Sequence, residues 1–289
     1  MAAEVMSFIL TYHSHHVVGS EYDRNDHVAL PLDLHLITEM GFRIVSLDRI
    51  VAAAAGARDL EAENDPTFRG YVALTFDDGP AFDFEDFDHP VLGRQRGFVR
   101  LMEDFRASSP GARQPELCAT SFVIASPEAR RAMESTFDTQ YTFLTPGSMA
   151  DDWWAPAIAT GLLSIANHSW DHLHSGLSRV AHSRQVRADF AQVTSVEDAD
   201  AQIADAARFI AARTQGAAAP YFAFPFGHYN DFLTGEYLPT RGRSLGLRAA
   251  LTNEARPVMP GDLVWKLPRY TCGQHWTRPS ELRRILAAA

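Results

Sequence analysis

The run Tyr71-Val72-Ala73-Leu74-Thr75-Phe76-Asp77-Asp78-Gly79-Pro80 decides the fold. Its apolar first half predicts a buried β-strand, and Gly79-Pro80 breaks that strand into a loop. A carboxylate pair therefore stands at the strand's C-terminal end. Side chains alternate along a strand, so Asp77 and Asp78 face opposite ways unless the chain bends between them. In α/β folds this edge of the sheet is where acid–base groups and metal ligands sit. Taken alone, Asp-Asp-Gly is also a common solvated turn.

Upstream, Met6–Thr11 predicts a strand running into Tyr12-His13-Ser14-His15-His16. His13, at the strand end, is a candidate site residue, whereas His15 and His16 read as exposed imidazoles of a polar loop. Leu32–Met40 has helical spacing up to Gly41. Arg43–Val45 is a short strand, Ser46 a cap for a helix over Leu47–Ala55, and residues 56–70 a linker. Downstream, residues 81–90 form an acidic and aromatic loop. A helix over Leu92–Phe105, a strand over Ala119–Ile124 and a helix over Pro127–Phe137 come next. An irregular stretch over Gln140–Asp152, a helix over Trp153–Thr160 and a strand over Leu162–Ala166 follow. Ser195 caps a long helix, Val196–Arg213. Tyr221–Phe224, Ala249–Thr252 and Leu263–Lys266 read as the last strands, before a helix over Glu281–Ala288 capped by Ser280. Strands alternating with helices predict a mostly parallel sheet, and their number suits a barrel in one domain over 1–289.

The 289 residues carry 26 basic and 36 acidic side chains, a formal charge of −10, with no basic cluster. That argues against a nucleic-acid surface and leaves sugars open as partners. No segment is apolar for long enough to span a membrane, and the N-terminus lacks a cationic stretch before its short apolar run, so the favoured location is cytoplasmic. Cys118 and Cys272 do not form a Cys-x-x-Cys pair and read as reduced thiols, with a disulfide left open. Oligomeric state is not legible.

Asn167-His168-Ser169-Trp170-Asp171-His172 follows a predicted strand and reads as a loop entering a helix. Histidines four apart share a helical face, where both imidazoles reach one ion. Two histidines and a carboxylate with open positions for water form a recurrent catalytic zinc set.

Thr75-Phe76-Asp77-Asp78-Gly79-Pro80 and His168-Ser169-Trp170-Asp171-His172 together resemble the first two motifs of the polysaccharide deacetylase family, carbohydrate esterase family four. Ile9-Leu10-Thr11-Tyr12-His13 and Gly41-Phe42-Arg43-Ile44-Val45-Ser46-Leu47 resemble its branch acting on poly-N-acetylglucosamine. The resemblance implies a distorted (β/α) barrel that removes acetyl groups from sugars with a divalent metal, zinc first and another transition ion second. It implies Asp77 as general base, Asp78, His168 and His172 as metal ligands, and Ser169 as support for the loop. Phe222-Ala223-Phe224-Pro225-Phe226-Gly227 resembles the third motif, which makes Pro225 and the Phe226 backbone N–H candidates for substrate and oxyanion binding. The motif's arginine is Ala223 here, and Arg269 is the candidate to supply that charge, its other reading being a surface ion pair. The late Leu-x-x-x-His motif is missing. His275 and His13 are candidates for the general acid, and a protonated Asp77 can fill the same role. Trp153 and Trp154 are candidates for a sugar-stacking wall, although adjacent aromatics point apart and at least one belongs to the core.

The expected function is metal-dependent removal of an acetyl group from an N-acetylated amino sugar or oligosaccharide. Two alternatives remain: hydrolysis of another C–N bond, in a formamide or cyclic amide of a small metabolite, and a non-catalytic carbohydrate-binding barrel.

Overall fold

The protein's structure is a computed structural model, in which residues 6–57, 67–136 and 142–288 are described. The predictions at 58–66, at Phe137 and at 140–141 lie outside those residues. In chain order the strands are β1 (Ser7–Tyr12), β2 (Phe42–Ile44), β3 (Gly70–Phe76), β4 (Phe87–His89), β5 (Gly93–Gln95), β6 (Ala119–Val123), β7 (Leu163–Asn167), β8 (Tyr221–Ala223), β9 (Ala249–Leu251) and β10 (Tyr270–Thr271). One curled parallel sheet runs β10-β1-β3-β6-β7-β8-β9, with β2 paired along the first half of β3. Between β9 and β10 the ladder gives way to a bridge from Leu251 to Leu267. There the Thr252 N–H donates to the Leu267 carbonyl at 2.8 Å and the Ala255 N–H to the Arg269 carbonyl at 3.0 Å. The result is the expected distorted (β/α) barrel.

Strand parity carries the interior up to the mouth. Ile9, Ala73, Phe122, Ala166, Ala223 and Leu251 share one buried cluster inside the barrel, where the alanines suit the narrow bore. Two residues above this layer come Thr11 and Thr75, whose hydroxyls lie 2.8 Å apart. Two residues further on, the same parity delivers His13 from β1 and Asp77 from β3, and on β7 it delivers His168 two residues past Ala166. The outward set, including Phe8, Leu10, Tyr12, Val72, Leu74 and Phe76, packs with apolar residues of the surrounding helices.

Several elements differ from the sequence reading. Helix α1 (Asp26–Glu39) starts well before Leu32. It buries Asp26, His27 and Asp33, so apolar periodicity does not mark its first turns, and Asn25 caps it by accepting the His27 N–H at 2.9 Å. The segment expected to begin a helix at Leu92 is instead the antiparallel β4–β5 hairpin, and the helix starts at Phe98. In the 81–90 loop, Phe82 stacks on Phe87 at 3.8 Å and both stack on Phe143, so these rings face one another. The helix from Val196 to Arg213 is interrupted by a π turn over Asp200–Ala204. Val264–Lys266 is a 3-10 turn, and the last strand lies later, at Tyr270–Thr271. The terminal helix opens at Pro279 with Arg278 in the cap position, so Ser280 does not cap it. Both cysteines are free. No helix among the described residues is long and apolar enough to cross a membrane.

Candidate active site

The chain does bend between the paired carboxylates. Asp78 has φ 74° and Gly79 follows at φ 72°. A Cβ on residue 79 would lie 2.5 Å from Cγ1 of Val123, so glycine alone fits this turn. Asp77 faces the mouth by strand parity and Asp78 by this left-handed turn. His168 Nε2 consequently sits 3.9 Å from Asp77 Oδ2 and 3.6 Å from Asp78 Oδ1.

His168 and His172 are not on a helix: the backbone from 168 to 172 is a loop, with Ser169 at φ 75° and His172 at φ 58°. That geometry, rather than a helical i,i+4 face, brings the rings to 4.9 Å between centroids. Ser169 braces the loop, its Oγ accepting the His172 N–H at 3.0 Å while its own N–H donates to Asn167 Oδ1 at 2.8 Å. His168 donates Nδ1–H to the Ala223 carbonyl at 2.9 Å, which leaves Nε2 with a free lone pair. His172 Nε2 is 3.6 Å from Asp78 Oδ1.

Asp78, His168 and His172 form a cluster able to hold a metal ion, and two features fit a divalent one. Asp78 Oδ1 is buried without a hydrogen-bond partner, although it faces both imidazoles. Its 3.6 Å separations are too long for hydrogen bonds, yet close to the roughly 3.3–3.4 Å between ligand atoms on a tetrahedral ion with bonds of about 2.0–2.1 Å. Protonation states agree. Burial disfavours the Asp78 charge, but hydrogen bonding from His15 and the neighbouring imidazoles hold its carboxyl well below the ordinary range. Burial pushes His172 down to about 3 despite the pull of Asp78, so it offers a neutral nitrogen.

Asp77 has a different partner. Arg269 donates Nη1–H to Asp77 Oδ1 and Nη2–H to Oδ2, both at 2.8 Å. The guanidinium is fully buried, gives Nε–H to the Thr252 carbonyl and Nη2–H to Asn253 Oδ1, and lies over the Phe122 ring. The surface-pair reading of Arg269 is therefore excluded. Burial alone would raise the Asp77 pKa, and Arg269 with His168 outweighs it, leaving the carboxyl below its usual value.

The other expected site residues scatter. Pro225 is the buried first residue of a 3-10 turn in which Phe226, at φ 59°, swings outward, 43 % exposed, its ring meeting that of His172 edge-on at 4.3 Å. Trp153 is 1 % exposed within the main core and stacks on Phe84, so it forms no sugar-facing wall, and Trp154 is equally buried. His275 accepts the Thr271 N–H on Nδ1 at 2.7 Å beside Tyr270, and the structure does not bring it to Asp77. His13 is closer. Its ring lies 5.5 Å from that of His15, and burial keeps it below its usual pKa against the fields of Asp78 and Asp77. His15 corrects the sequence reading most sharply: it is 5 % exposed and sits 2.9 Å from Asp78 Oδ2 through Nε2. Its one signal in the sequence was even spacing from His13, which a loop does not translate into a direction.

No protein-family profile and no curated protein matches the sequence. Solved structures do. The Streptococcus pyogenes deacetylase PplD, determined with acetate, superposes with a TM-score of 0.60 at 17% identity, covering 98% of this chain and 99% of that one. IcaB from Ammonifex degensii gives 0.60 at 17%, covering 98% and 97%. The de-N-acetylase from Aggregatibacter actinomycetemcomitans gives 0.58 at 14%, covering 97% and 99%. At these identities the likeness is one of fold: the chain has the curled (β/α) barrel found in polysaccharide deacetylases.

Proposed function

We propose that this protein is a divalent-metal-dependent hydrolase that removes the acetyl group from an N-acetylated amino sugar, within an oligosaccharide or polysaccharide. One observation carries the reading. A buried carboxylate clamped by its own arginine stands beside a separate Asp/His/His cluster whose inward oxygen lacks a partner. A binding-only barrel has no use for the second carboxylate. The fold neighbours lend support, since PplD was captured with acetate, the acid that deacetylation releases, and another neighbour is a de-N-acetylase.

Asp78, His168 and His172 would hold the ion, zinc being the first expectation. When bound, it supplies Lewis-acid polarisation of the acyl oxygen and acidifies water. Asp77, kept ionised and oriented by Arg269, takes the proton of the attacking water. Arg269 also makes Asp77 a poorer base, so it is a proton acceptor that relies on that acidification. The water oxygen bonds to the acyl carbon, and the oxyanion takes a hydrogen bond from the Phe226 N–H, presented by the left-handed turn. The C–N bond then breaks as Asp77 returns its proton to the amine nitrogen. His13 is held neutral at pH 7 by burial and is no ready proton source, which favours Asp77 in both roles. The exposed Phe226 ring offers an apolar face for the sugar.

The test is elemental analysis of chelator-stripped and zinc-resupplied protein, with acetate release from N-acetylglucosamine oligomers. About one ion per chain, lost in His172→Ala together with acetate release, is expected. Stoichiometric metal without acetate release would reject the substrate class, and no metal would reject the site.

A further inference from the structure

We propose that His15 is a positioning residue that makes Asp78 a single-oxygen donor to the bound ion and so keeps a coordination position open for the reaction. This rests on the function proposed above and adds a device to it. The two oxygens of Asp78 have separate surroundings. Oδ1 faces His168 Nε2 and His172 Nε2 at 3.6 Å each with no hydrogen-bond partner, while Oδ2 accepts Nε2–H of His15 at 2.9 Å. A carboxylate with both oxygens free can chelate a cation through both. With two imidazoles already present, chelation would take up the fourth position of a tetrahedral ion, so that a water or substrate oxygen could join only as a fifth ligand. An N–H bonded to Oδ2 opposes that, because the oxygen would have to give up its hydrogen bond in a buried setting.

His15 can do this only if its loop is rigid, and the loop is tied down on several sides. The backbone N–H of His13 donates to Asp26 Oδ2 at 2.8 Å, and His16 Nδ1 lies 2.7 Å from Asp26 Oδ1. Ser14 Oγ donates to the buried Asp83, and the His15 carbonyl accepts the Phe143 N–H at 2.7 Å. Asp78 itself, at φ 74°, is held on its side by the Gly79 turn. The imidazole and the carboxylate thus approach from two independently anchored loops, more than sixty residues apart in sequence.

The experiment uses cobalt(II) as the metal alone, bound to the full chain, because its visible absorption is intense in four-coordinate sites and falls severalfold when a fifth ligand joins. Wild-type protein should give the intense spectrum. His15→Ala should bind cobalt with the weaker spectrum, and His15→Gln, which keeps an N–H donor at similar reach, should restore the intensity. Acetate release should fall by about 10–100-fold in His15→Ala and recover in His15→Gln. Superimposable spectra for wild type and His15→Ala would overturn the proposal, as would a weak spectrum in a folded His15→Gln, which settles the question even if the alanine variant fails to fold. Failure of the wild-type chain to take up cobalt would overturn the metal reading beneath it, a result distinct from any change among the variants.

Discussion

Arg269→Met tests the structural reading most directly, because it removes one partner of a fully buried ion pair and retains most of the side-chain volume. The variant takes away both 2.8 Å donors of Asp77, and it also frees the Thr252 carbonyl and Asn253 Oδ1. Leaving a buried charge without its partner costs about 3–5 kcal/mol, a large share of the roughly 5–15 kcal/mol that stabilises a domain. The loss must depend on pH. In the wild type the folded Asp77 pKa is depressed, so its contribution is present above the unfolded value of about 3.9 and is lost as pH falls through the folded value. In the variant burial acts unopposed by Arg269, the folded pKa rises, and a penalty sets in as pH climbs past about 4. The wild-type contribution is nearly complete by pH 4, so it is the penalty in the variant that widens the gap between the two proteins from pH 4 to pH 8. Urea unfolding of the metal-free proteins across that range should show a gap that is smallest at the acidic end and reaches about 3–5 kcal/mol at the alkaline end. Asp77→Asn in the Arg269→Met background should recover part of it, as the uncompensated charge is gone. A gap below about 1 kcal/mol, or one that stays flat with pH, would refute the claim that this pair is buried and ionised.

Two further outcomes follow from the same geometry. Asp77→Asn should leave metal stoichiometry unchanged and lower acetate release by about 10²–10⁴-fold, whereas retention of the rate within a few-fold would remove Asp77 from the proton path. Asp83 is buried between the hydroxyls of Ser14 and Ser121, and burial, with Asp78 and Asp77 nearby, pushes its carboxyl up to about 7. A raised carboxyl pKa means that stability falls as pH rises from about 4 to 7, by up to roughly 4 kcal/mol. Asp83→Asn should flatten that slope in urea unfolding of the metal-free protein, and an unchanged slope would show that Asp83 is ionised without penalty.

The local sequence determined the strand that ends in Asp77-Asp78 and the turn that Gly79 allows after it, and it placed that strand end and the His168–His172 loop at the same edge of the sheet. It could do so because a strand's parity and a glycine turn are properties of adjacent residues: Thr75 and Asp77 share a face whatever the rest of the chain does. The identity of Asp77's partner was not legible in the same sense. Arg269 lies 192 residues from Asp77, and only the closing of the barrel from β9 to β10 brings its guanidinium inward, fully buried, where a surface pair was an equal reading of the sequence. His15 reads as solvent-exposed in the sequence because loop residues carry no periodicity from which to infer direction, and the anchoring by Asp26 and Asp83 turns it inward. Trp153 reads equally as a sugar-stacking candidate or as core because an aromatic side chain looks alike in sequence whether it packs in a core or lines a cleft. Its burial against Phe84 follows from the docking of a helix against the sheet. The i,i+4 spacing of His168 and His172 predicts a shared helical face, whereas they converge through left-handed loop residues at Ser169 and His172. The sequence by itself determined which groups stand at the edge of the sheet. Which way they point, and which distant side chain holds each of them, the tertiary structure alone decided, because those contacts form between segments that meet only when the sheet curls shut.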